Sequence, residues 1–177
     1  MTQLHPVQQR FILHWGEMGT RWGINRTVAQ IHALLFLSPR PLHAEEIAHT
    51  LNVARSNVST SLKELQGWGI VKLVHVLDDR RDHFQSMKEV WEMFRVVLDE
   101  RKKREIDPTL TMLLASIDEA KQDKDTEPYT VERLRDLAEF FQTTTTWYSQ
   151  IRSWPTNKLT KFLKLGQKVG QLIGLGR

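Results

Sequence analysis

The chain has 177 residues, 40% apolar and 26% charged, with a formal net charge of +4 and a pI near 9.5. That size allows one ordinary domain or a small domain with an extension, and so mild a basicity leaves the placement of charge, not its sum, to identify a polyanionic partner. The lack of cysteine excludes disulfides, thiolate metal sites and thiol redox chemistry, while a start (MTQLHPVQQR) without a charged-then-apolar leader and a longest apolar stretch of only Ile31 to Leu37 predict a cytoplasmic protein with no membrane partner.

The first helix is expected after Pro6, since proline suits an opening turn. Phe11, Ile12, Trp15 and Met18 recur at helical spacing, Gly16 and Gly19 weaken its end, and Gly23 marks a break. A second helix runs from about Asn25 to Leu37 and is stopped by Ser38-Pro39-Arg40-Pro41. The third begins near His43 with Glu45 and Glu46 in its first turn, where acids complement the helix dipole. Asn52-Val53-Ala54 is a turn, and a fourth helix spans about Arg55 to Gln66 with Val58, Leu62 and Leu65 as its buried stripe. Gly67-Trp68-Gly69 ends it. Ile70 to Val76 and His83 to Met87 read as two strands around a charged tip, Asp78 to Asp82. The stretch AEEIAHTLNVARSNVSTSLKEL therefore has the layout of a helix-turn-helix, and the hairpin that follows makes it a winged helix.

Beyond the hairpin, Val90, Trp91, Phe94, Val97, Leu98 and Arg101 are expected along one side of a helix from Lys88 to Arg104, and Asp107-Pro108 opens another. Lys121 to Glu127 is a connector. Val131, Leu134, Leu137, Ala138, Phe141, Tyr148 and Ile151 mark a long helix, which the β-branched run Thr143 to Thr146 should kink or fray. Pro155 interrupts, with Asn157 capping a last amphipathic helix whose Gly166, Gly170 and Gly174 share a face. The predicted fold is mostly α: a winged helix-turn-helix with a two-stranded wing, residues 1–105, plus a C-terminal helical dimerisation and effector region, residues 106–177.

An N-terminal half of the fourth helix placed in a major groove presents Arg55, Ser56, Asn57, Ser59, Thr60 and Lys63 outward. Asn57 can bond an adenine edge as donor and acceptor together; Ser59 and Thr60 suit a base or a phosphate; Arg55 suits guanine or a phosphate, and Lys63 the backbone. The wing adds Arg80, Arg81 and His83, arginine at a hairpin tip being suited to a narrow minor groove. Double-stranded DNA is the expected partner. The run Arg101 to Arg104 more readily covers a solvated helix face. None of His5, His14, His32, His43, His49, His75 and His83 is paired at a helical metal-ligand spacing, and neither a nucleophile elbow nor a glycine-rich phosphate loop is present, so no cofactor and no enzymatic activity are expected. The alternative is a winged helix that binds protein within the transcription or chromosome machinery; the polar outward face of the fourth helix argues against it.

From Arg10 to Pro108 the chain resembles the GbsR-type branch of the MarR-like winged-helix regulators, through LNVARSNVSTSLKELQGWGIVKLV, DDRRDHF and VWEMFRVVLDERKKREIDPTL. The resemblance implies a dimeric transcriptional regulator, commonly a repressor released by a small-molecule effector, with compatible solutes or quaternary ammonium compounds as signals. The effector pocket it implies could draw on Trp15, Trp22, Trp68, Trp91, Trp147 and Trp154, since aromatic faces attract such cations, although Trp68 and Trp91 sit at core spacing. It also implies an acid that holds the wing arginine, expected to be Asp82. One departure is Ala54, where the family often has a serine cap.

Overall fold

The computed structural model describes residues 4–123 and 125–172, the side chains of residues 166–172 excepted. The chain divides into two compact units, Met1–Val97 and Leu98–Arg177.

In the first unit, helix α1 (Pro6–Arg21) starts on a capping box: His5 Nδ1 accepts from the Val7 amide, and the Gln8 side chain accepts from the His5 amide. Helix α2 (Arg26–Leu37) is capped by Asn25, whose Oδ1 accepts from the Thr27 amide at 2.8 Å. Contrary to the expectation that Gly16 and Gly19 weaken α1, the helix runs through both, and both are buried. Their missing side chains let α1 approach α2. A Cβ on Gly19 would stand 2.5 Å from Ala29 Cβ, and one on Gly16 2.7 Å from Gln30 Cγ. Gly19→Ala is therefore expected to destabilise. The obstructing atom is rooted on a helix backbone, so the overpacking cost of about 3 kcal/mol exceeds the roughly 1 kcal/mol that alanine gains over glycine in a helix. Gly67→Ala, where nothing lies within 4 Å of the new Cβ, is expected to stabilise by up to about 1 kcal/mol. Urea unfolding of the full chain checks both signs, and a stable Gly19→Ala protein contradicts the close-approach reading.

Strand β1 (Leu42–His43) leads into α3 (Ala44–Leu51), where His43 Nδ1 accepts from the Glu46 amide and the Glu46 carboxylate accepts from the His43 amide. Asn52 takes a left-handed φ of 52° at the turn, and α4 (Arg55–Gly67) follows. Ala54 offers α4 no side-chain cap, and Ser56 does not replace it; relative to a serine this forgoes about 1 kcal/mol. Gly69, at φ 74°, turns the chain out of α4. Strands β2 (Val71–Val76) and β3 (Asp79–Ser86) form the wing, and β1 pairs antiparallel with the far side of β3, giving the order β1-β3-β2. The wing thus has a tighter turn than the expected five-residue tip: Leu77 and Asp78 make it, Asp78 at φ 63°. Ile31, Leu34, Leu35, Ile47, Val58, Leu62, Leu65 and Phe84 form the core. Lys88 Nζ donates to the carbonyls of Leu35, Phe36 and Ser38 at 2.8, 2.7 and 2.8 Å, a cation on the C-terminal end of α2 that ties the exit of the wing to it.

Helix α5 (Val90–Arg101) keeps Val97 of the expected face on the core but adds Met93 and Val96, while Phe94 is 49% exposed and Val90 53%. Arg95, also buried, pairs with Glu92. From α5 the chain passes through a π-helical turn (Lys102–Ile106) into α6 (Asp107–Gln122), so Pro108 lies in the first turn of a continuing helical path. In the second unit, Leu113 and Ile117 of α6 pack with Ala138 of α7 (Pro128–Arg152). Asp99 accepts from Tyr148 Oη and Arg152 Nε, both at 2.7 Å. The expected break at Thr143 to Thr146 is absent; Thr144 and Thr145 donate to the carbonyls of Phe140 and Phe141, and the helix continues. Helix α8 (Thr156–Leu172) begins on the Pro155 carbonyl, so Asn157 is inside its first turn and not its cap. The face expected to be shared by Gly166, Gly170 and Gly174 lies outside what is described. Among the described residues no helix is long and apolar enough to cross a membrane.

Candidate nucleic-acid interface

Helix α4 has two flanks because its apolar residues fall at 58, 62 and 65. Val58, Leu62 and Leu65 are almost completely buried, and Ser61 is buried with them. The opposite flank is therefore forced outward. Arg55, Ser56, Asn57, Thr60 and Lys63 are exposed and Ser59 is half-buried, leaving amide, hydroxyl, guanidinium and ammonium groups free of the core. None of them is spent on capping the helix.

The wing brings further cations to this flank. Arg55, Ser59 and Lys63 of α4, Glu45 of α3 and Arg81 and Asp82 of the hairpin line one groove of about 320 Å³. Arg81 is gripped by Asp79, not by Asp82: Arg81 Nε and Nη2 donate to the Asp79 carboxylate at 2.9 and 2.5 Å. The two acids lie on either side of Arg81 in sequence, and β3, which begins at Asp79, supplies the nearer carboxylate. Hydrogen bonds from the Arg81 side chain and amide hold the Asp79 carboxyl well below the usual carboxylate range, and the same pairing raises Arg81 further. Asp82 is exposed and forms no ion pair among the described residues. Arg80 is exposed on the strand.

His83 departs from the expected set. It is 4% exposed; its ring packs edge-on against His43 at 5.5 Å, with Nδ1 2.8 Å from the Arg81 carbonyl oxygen. His83 stands opposite His43 where β3 pairs with β1, and at this burial the ring is not open to a DNA contact.

One residue that sequence reasoning did not select also takes part. Glu45 Oε1 lies 2.6 Å from Arg55 Nη1, and Glu45 Oε2 lies 3.9 Å from Arg81 Nη1. Glu46 binds Arg40 through both carboxylate oxygens, at 2.6 and 3.2 Å, which with the His43 amide lowers its pKa. The acids were visible as dipole partners of α3; the second role of Glu45 depends on Arg55 of α4 and Arg81 of the wing coming alongside, and that of Glu46 on the turn that brings Arg40 back to α3. The tryptophans gather in part: Trp15 lies between Phe11, Trp22 and His32, with ring centroids 5.4, 6.2 and 6.3 Å away. Trp68 packs against the core. No group of three or more His, Asp or Glu side chains stands ready to hold a metal ion among the described residues.

Residues 22–82 match the sequence model of the MarR family. No curated protein matches the chain. Among solved structures, one described as a transcriptional regulator shares 20% identity over 83% of this chain and 96% of its own, with a TM-score of 0.61. A mutant of S. aureus MepR bound to an oligodeoxyribonucleotide shares 11% identity over 78% of this chain and 92% of its own, with a TM-score of 0.39. The buried stripe of α4, the strand order of the wing and the matched segment agree on one architecture: the first unit carries a winged helix, similar over residues 22–82 to that of the MarR family.

Proposed function

We propose that the chain is a sequence-specific DNA-binding transcriptional regulator that acts as a homodimer. One observation carries this reading: the exposed flank of α4 and the wing arginine meet along one groove, so that Ser59, Lys63 and Arg81 line it together with Arg55. Side chains of that kind divide the work of a duplex reader, with cations taking phosphates and Asn57 taking a base edge. The flank is polar, unlike the apolar centre of a protein-binding face, which disfavours the interaction-module alternative. The match to the MarR family supports the same reading.

Dimerisation is supported by apolar side chains that the second unit leaves exposed: Leu137, Phe140 and Trp147 on α7 and Met112 on α6. Two reading helices related by symmetry would read half-sites about one turn, roughly 34 Å, apart. The resemblance to GbsR-type regulators is in keeping with repression released by a small molecule, a compatible solute or quaternary ammonium compound; such an effector would act only through unequal affinity for the two spacings of the reading helices.

The test is selection of duplexes from a random pool followed by titration. Asn57→Ala is expected to relax preference at one base pair by about 1–3 kcal/mol. Lys63→Ala is expected to weaken all duplexes alike and flatten the salt slope by about 1. Failure to retain any duplex at low salt overturns the reading.

A further inference from the structure

Glu45 stands between the two arginines of the reading surface. Its Oε1 is 2.6 Å from Arg55 at the start of α4, its Oε2 is 3.9 Å from Arg81 on the wing, and Asp79 grips Arg81 from the other side. A DNA phosphate arriving at this groove meets guanidinium groups already engaged and a carboxylate that repels it. The pair is weak enough to be exchanged, because the Glu45 and Arg55 side chains are 60% and 58% exposed and such pairs are screened by solvent. We propose that Glu45 is a specificity-determining residue: it keeps Arg55 and Arg81 from gripping phosphate on an arbitrary sequence, and the arginines leave it for DNA only where base contacts from α4 add to the gain. This rests on the DNA-binding reading above. Discrimination then comes from a repulsive element as well as from attractive contacts.

Glu45 also lies in the first turn of α3, where an acid favours the helix, and a purely structural role would appear as altered stability with unaltered DNA preference. The test titrates the full chain, across a salt series, with a random-sequence duplex and with a duplex selected by the native protein. Glu45→Gln is expected to raise affinity for the random duplex about three- to tenfold, to steepen its salt slope by about one, and to lower the ratio of selected to random affinity. Glu45→Asp, which keeps the charge of the helix start but has a shorter reach, is expected to fall between. With Arg55→Gln and Arg81→Gln already in place, Glu45→Gln is expected to give no gain. An unchanged ratio, or a gain that persists without the two arginines, overturns the proposal while the DNA-binding reading stands. A native protein that binds neither duplex overturns both.

Discussion

Leu62→Ala is expected to cost the protein about 2–5 kcal/mol of stability, because Leu62 is among the most completely buried side chains and packs where α4 meets the rest of the core. Thr60→Ala, two residues away on the exposed flank, is expected to change stability by no more than about 0.5 kcal/mol. That contrast follows from helical geometry alone: positions 58, 62 and 65 share one side of the rod, and position 60 is on the other. Urea unfolding monitored by circular dichroism, together with amide exchange across α4, reads both effects. A tolerated Leu62→Ala or a crippling Thr60→Ala would mean that α4 is rotated from the orientation on which the flank proposed to face DNA depends.

The second large effect is expected from acid. His32 lies within α2 at 7% exposure, between Trp15 and Phe36, and its Nε2 has no hydrogen-bond partner among the described residues. Burial, and secondarily the nearby Lys88 charge, lower its pKa from 6.5 to about 4. The folded protein thus holds this imidazole neutral, whereas the unfolded chain protonates it below about pH 6.5. Between those values the unfolded state binds more protons, so stability falls as pH drops from about 6.5 toward 4. The full difference amounts to about 3 kcal/mol. His32→Leu, close in volume and unable to titrate, is expected to remove that part of the pH dependence. Unfolding free energies of both proteins at pH 7, 6, 5 and 4 make the comparison; parallel profiles would show that His32 is not the group responsible.

The winged helix was legible in the sequence wherever one face of an element is buried and the other is wet. Val58, Leu62 and Leu65 fixed the sidedness of α4, and α2 and α3 begin at Asn25 and His43, the starts expected for them. Where the sequence reading failed, the missing information was a contact with another element. Gly16 and Gly19 look like helix breakers until Ala29 and Gln30 are seen to need their space. On α5 the apolar residues nearly encircle the helix, so periodicity allows more than one buried face; packing on the first unit selects Met93, Val96 and Val97. Thr144 and Thr145 lower helix propensity, yet their hydroxyls bond back to the preceding turn and tolerate it.

The exposed flank of α4, proposed above to read DNA, was legible to the same degree. Arg55, Ser56, Asn57, Thr60 and Lys63 are exposed as their spacing requires, because one helix determines them. The wing residues depend on strand register, which a charged hairpin sequence leaves open. The arginine clamp is Asp79, not Asp82, and His83 stands opposite His43 of β1. Glu45 escaped notice because its partners come from two other elements, ten and thirty-six residues along the chain.

Backbone amide shifts recorded during titration with a duplex selected by the protein itself test most directly whether the outer flank of α4 is the surface that meets DNA. The expected result is a set of perturbations centred on Arg55 to Thr60 and Lys63, continuing to Arg80 and Arg81 on the wing, while the amides around Leu113 and Ala138 in the second unit's core keep their shifts. Perturbations that avoid α4 and the wing, with the duplex demonstrably bound, would contradict it.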